Sequence, residues 1–90
     1  MKAIAVDDEI YMLETLLESV SASSDIETVE PFSSCSAALA FATDNPIDVA
    51  FLDINMRGIG GLGLAEKLLE LHPRCKIIFC TASGVIGFIR

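Results

Sequence analysis

Val49-Ala50-Phe51-Leu52-Asp53-Ile54-Asn55-Met56 is the stretch on which the fold turns. Four apolar residues in a row, ending on an aspartate, read as a strand buried inside a parallel sheet with its carboxylate at the strand end. A second stretch has the same form: Ala3-Ile4-Ala5-Val6 runs into Asp7-Asp8. In open α/β sheets that edge is where ligands bind. Asp7, Asp8 and Asp53 are therefore expected to converge, with Asn55 beside the last and Thr81 further on.

Working outward, the chain alternates strand and helix. The first strand is expected over Lys2 to Val6. Asp8 or Asp7 then caps a helix whose apolar face is Ile10, Leu13, Leu17 and Val20, with Glu9 in its first turn. Ser21 to Ser24 end that helix. A second strand around Ile26 to Pro31 has mixed polarity and a proline, which places it at an edge. Ser34 caps a helix over Cys35 to Thr43, stopped by Asp44-Asn45-Pro46. The third strand is Asp48 to Leu52. A glycine-rich loop and a helix from Gly61 to Leu71 follow, with Leu64, Ala65, Leu68 and Leu71 inward. Cys75 to Cys80 reads as a fully buried fourth strand. Short connections imply parallel βαβ units with right-handed crossovers.

Residues 84–90 break the rhythm. They are apolar, interrupted by glycine and too short for another helix–strand unit. The expected division is thus a core of residues 1–83 and an apolar tail of 84–90.

Ninety residues make one domain, and 52% hydrophobic composition implies a packed core. Net charge is −7, and the six basic residues are scattered. Direct nucleic-acid or anionic-membrane binding is not expected of such a surface. No apolar run approaches the ~18 residues of a spanning helix, and no signal peptide is evident, so a cytoplasmic location is expected. Cys35, Cys75 and Cys80 lack zinc-site spacing and read as buried free thiols.

Three carboxylates at one sheet edge favour uptake of a hard divalent cation such as magnesium. Asp7 or Asp8 would ligate directly and the other through water, Asp53 would add an oxygen, and the backbone carbonyl of Asn55 could turn inward. Asp53 is also a candidate nucleophile, since carboxylate attack on phosphorus yields an acyl phosphate. Such transfer needs positioning and charge neutralisation above all. Thr81, at the end of the fourth strand, could donate its hydroxyl to a phosphoryl oxygen.

These motifs together resemble the receiver domain of two-component response regulators. Ala5-Val6-Asp7-Asp8-Glu9 resembles the acidic first-strand motif, and Val49 to Met56 the surroundings of the phospho-accepting aspartate. Gly61 matches the glycine eight positions later, and Ile77-Ile78-Phe79-Cys80-Thr81-Ala82 the fourth strand with its hydroxyl. The resemblance implies a flavodoxin-like open parallel sheet of order 2-1-3-4, here without the family's fifth strand and last helix. It also implies magnesium-dependent phosphoryl transfer from a histidine kinase or phosphotransfer protein onto Asp53.

Two departures bear on function. Arg57 stands where the family usually has proline and is expected to loosen the loop. The family's fifth-strand lysine has no match, so phosphorylation or its readout is expected to be impaired. The alternative is a degenerate receiver serving only in assembly. Under either reading a dimer or higher assembly is expected, with an open fourth strand, or the Val85 to Ile89 tail acting as a substitute strand, at the contact. An aspartyl-nucleophile phosphatase wants Asp-x-Asp and meets Asp53-Ile54-Asn55 instead. Gly58-Ile59-Gly60-Gly61-Leu62-Gly63 satisfies G-x-G-x-x-G, yet the loop starts five residues past the strand and lacks an acidic ribose partner downstream.

Overall fold

A computed structural model describes residues 1–81 and 84–89, with side chains for residues 1–80. The two apolar runs form the centre of the sheet. Strand β1 (Lys2–Val6) lies between β2 (Thr28–Phe32) and β3 (Val49–Asp53), and β4 (Lys76–Thr81) pairs beyond β3. All four are parallel, in the order 2-1-3-4. Backbone groups of the inner strands are satisfied within the sheet, so Ile4, Val6, Ala50, Leu52 and Ile77 can be wholly apolar and wholly buried.

Helices α1 (Ile10–Ser21), α2 (Cys35–Asp44) and α3 (Gly60–Leu71) connect the strands. The step from β1 to β2 runs one way across the sheet, and the steps from β2 to β3 and β3 to β4 run the other. Right-handed crossovers therefore place α2 and α3 on one face and α1 on the opposite face. On the two-helix face, Ala38 and Ala42 of α2 and Leu64, Ala65 and Leu68 of α3 pack over Ile4, Val6, Ala50, Leu52, Ile77 and Phe79. The single helix leaves its face partly open. Phe51 and Ile78 are only half-buried there, beside a groove of about 460 Å³ also lined by Leu16, Val20 and Cys80. The fourth strand is consequently not buried on both sides as expected.

The sheet does not stop at β4. Strand β5 (Gly84–Ile89) folds back antiparallel on it, pairing Thr81 with Gly84 and Ile78 with Phe88, with a register shift at Phe79/Cys80. The expectation of an open fourth strand is thus overturned. Only two residues join β4 to β5, enough for an antiparallel hairpin but far short of the dozen or more that a parallel crossover needs.

Element ends also differ from expectation. Neither Asp7 nor Asp8 caps α1. Its N-cap is Glu9, which makes no side-chain cap bond and precedes the helix rather than lying in its first turn. Ile10 is 56% exposed and so leaves the apolar face, which Leu13 and Val20 carry. Leu71, at the last turn of α3, is likewise exposed. Ser34 behaves as expected, its hydroxyl accepting from the Ala37 N–H. Cys35, Cys75 and Cys80 are free and buried. Burial pushes the Cys75 thiol up to about 11, so it stays protonated at neutral pH.

Candidate functional site

The direction reversal between β1 and β3 is the topological switch point of the sheet, where loops part and leave a hollow. Val6 pairs with Leu52, so Asp7 and Asp8 leave β1 beside Asp53 at the end of β3. One carboxylate oxygen from each of Asp7, Asp8 and Asp53 lies within 4.8 Å of the other two. The acidic groups of the two segments meet as the strand-end argument requires.

Each carboxylate is oriented by a backbone N–H. Asp7 Oδ1 accepts from Glu9 N at 2.9 Å, and Asp53 Oδ1 accepts from Asn55 N at 3.3 Å. Asp8 Oδ2 accepts twice from one residue, from Arg57 N at 3.1 Å and Arg57 Nε at 3.2 Å. These bonds explain the missing caps: the carboxylates that flank α1 are turned toward the hollow.

Asp7 is 7% exposed. Burial raises its pKa above the ordinary carboxylate value, and the Glu9 N–H opposes that shift. The neighbouring charges of Asp53, Asp8 and Glu9 raise it further. Asp8 moves the other way. The Arg57 N–H lowers its pKa, and the guanidinium adds to the effect against some desolvation. Cys80 sits below, its thiol raised by burial and by the charges of Asp53 and Asp7.

The donor set suits a hard divalent cation: all oxygen, one group buried and two accessible. Two oxygens on one magnesium ion lie at most ~4.2 Å apart, twice the usual bond length, so a group within 4.8 Å is of the right size for one ion. The Asn55 N–H bond holds residue 55 against Asp53. Thr81 follows Cys80, the strand partner of Asp53, so its backbone lies at the same sheet edge. The Thr81 hydroxyl lies outside the described side chains.

The loop after β3 closes the hollow. Gly58 and Gly60 have φ of +82° and +75°, a region that favours glycine. Gly61 is glycine for another reason. A Cβ there would collide with the Asp53 carbonyl oxygen and lie 2.8 Å from Ile54 Cα. Gly58 and Gly60 of the G-x-G-x-x-G pattern thus serve a turn, and the close backbone approach beside Asp53 belongs to Gly61, an x position of that pattern.

Arg57 is the residue beside the site that sequence reasoning misjudged. It does not loosen the loop; it ties the loop to Asp8 across 49 positions of sequence. The available signal was small: an arginine four residues past Asp53, where a proline could donate no N–H.

The chain's residues 3–89 match the family model for the response regulator receiver domain. Among curated proteins, the transcriptional regulatory protein YpdB of Escherichia coli K12 is 33% identical over 82 residues, covering 91% of this chain and 34% of that protein. The sensory transduction protein LytR of Staphylococcus epidermidis is also 33% identical, covering 91% of this chain and 32% of its own length. The chain spans about a third of such relatives. Among solved structures, the Thermotoga maritima response regulator TrrA, in complex with Mg2+ and BeF, superposes with a TM-score of 0.79. It is 31% identical, covering 90% of this chain and 69% of that one.

Proposed function

The chain belongs to the response regulator receiver family, and from that premise we propose that it accepts a phosphoryl group on Asp53 at a magnesium site formed with Asp7 and Asp8. It is a receiver domain of a two-component response regulator, a family of signalling modules in which phosphorylation and Mg2+ are general. Among the described residues no helix is long and apolar enough to cross a membrane.

The observation that carries the proposal is the convergence of three carboxylates at the switch point. Asp7, Asp8, Asp53 and the Asn55 carbonyl would hold the cation, which supplies charge neutralisation for the phosphoryl oxygens. The donor is a phosphohistidine of a histidine kinase or phosphotransfer protein. An Asp53 carboxylate oxygen attacks phosphorus in line, the P–N bond breaks and the imidazole leaves. The product is an acyl phosphate. The Asn55 N–H on Asp53 Oδ1 orients the carboxylate for this approach. The Thr81 hydroxyl would donate to a phosphoryl oxygen.

In a second reading, favoured by the outer edge of β5 at the end of the sheet, the acidic pocket is vestigial and the chain acts in assembly. Strand β5 is then a substitute edge strand, and self-association would run through its outer edge, which pairs with no other strand among the described residues. Incubation with acetyl phosphate and Mg2+, read by intact mass, separates the two. A phosphate adduct in wild type that is lost in D53A supports phosphoryl acceptance. No adduct at any magnesium concentration supports the assembly reading.

A further inference from the structure

We propose that Arg57 is a positioning residue for the cation site: its backbone N–H sets the Asp8 carboxylate, while its guanidinium competes with the divalent cation for it. This rests on the reading of Asp7, Asp8 and Asp53 as cation ligands. Both Arg57 donors converge on a single oxygen, Asp8 Oδ2, at 3.1 and 3.2 Å. The two bonds differ in permanence. The Asp8 side chain is 15% exposed, whereas that of Arg57 is 88% exposed. An ion pair with so exposed a partner holds weakly and releases easily.

The backbone N–H cannot leave unless the loop moves. That loop is held by the positive-φ turns at Gly58 and Gly60 and by the Gly61 N–H on the Ile54 carbonyl. The N–H therefore fixes Asp8 whatever ion is bound. The guanidinium is a removable counter-ion beside three clustered carboxylates. Among the described residues, Arg57 is the one lysine or arginine whose side chain bonds to that cluster. A divalent cation at the cluster meets this positive charge, and must displace it or bind beside it.

The test is Mg2+ titration by calorimetry of wild type, R57Q, R57K and R57P at low and high KCl. R57Q keeps the N–H and loses the charge. It should bind Mg2+ roughly fivefold more tightly at low salt, the effect of one exposed charge on a divalent ion ~7 Å away through water. The gain should shrink at high KCl, and R57K should stay near wild type. R57P loses both donors and should bind at least about threefold more weakly than R57Q.

In wild type the Arg57 amide proton should resonate downfield in NMR spectra and move upfield in D8N. This reads the N–H contact even if R57P does not fold. Equal or weaker Mg2+ binding by R57Q at low salt would overturn the competition, and an Arg57 amide insensitive to D8N would overturn the positioning. If neither wild type nor R57Q binds Mg2+, the cation-site reading itself falls and takes this inference with it. Binding by wild type that no Arg57 variant alters sinks the inference alone.

Discussion

Substituting Gly61 by alanine tests whether the approach of α3 to β3 builds the site. The added Cβ would lie 2.8 Å from Ile54 Cα and 3.1 Å from the Asp53 carbonyl carbon, and would overlap the Asp53 carbonyl oxygen. All three atoms are backbone, so no side chain can rotate out of the way. The first turn of α3 must back off, and the Gly61 N–H to Ile54 carbonyl bond of 3.3 Å opens with it. Overpacking of this kind costs about 1–3 kcal/mol, and a rigid backbone neighbour argues for the upper end. Alanine recovers up to about 1 kcal/mol of helix propensity relative to glycine. The net loss is about 2 kcal/mol, which for a domain of this length lowers Tm by roughly 8–16 °C. Gly63 supplies the control, because a Cβ there meets only the Ile59 side chain, at 3.0 Å, and Ile59 is partly exposed. G63A should change stability by less than about 1 kcal/mol. Thermal unfolding followed by far-UV circular dichroism measures both. A G61A protein melting within ~2 °C of wild type would refute the steric argument. So would an equal loss in G63A.

Three further outcomes are expected. Asp7 has a folded-state pKa raised above its ordinary value, so its ionised form costs stability at neutral pH. The cost disappears as pH falls through the folded pKa toward the unfolded one. D7N should therefore melt above metal-free wild type at neutral pH, with the gap closing as pH falls toward the ordinary carboxylate range. A gap that widens on acidification contradicts this sign. Mg2+ at ten times its dissociation constant should stabilise wild type by about 1.4 kcal/mol and D7N much less. EDTA should reverse the gain, and an unchanged melt refutes binding. Sedimentation velocity at micromolar concentration should show a dimer through β5. The dimer should weaken when Val85 is replaced by proline, and a stable wild-type monomer overturns the self-association reading.

Some of the local signals in the chain were sound. The runs Ala3–Val6 and Val49–Leu52 needed no partner to be recognised, because continuous apolarity records burial on both faces. Ser34 was legible as a cap because its hydroxyl reaches only three residues along the chain. Thr28–Phe32 showed its edge position through its polarity and Pro31. Asp7, Asp8 and Asp53 were legible as a group because strand ends in a parallel sheet share one edge.

Contacts between distant segments belonged to the tertiary structure. Asp7 and Asp8 are good capping residues by type, yet the hollow claims both, and no local pattern discloses a bond from Asp8 to a residue 49 positions away. The glycine at 61 looked like part of a loop motif until β3 supplied the backbone it must touch. Residues 84–89 carried strand-forming composition without a direction, and the two-residue connection to β4 settled it as antiparallel. Sequence periodicity records which faces are buried; which distant group meets a given carboxylate depends on how the strands are ordered in space, and that only the assembled sheet decides.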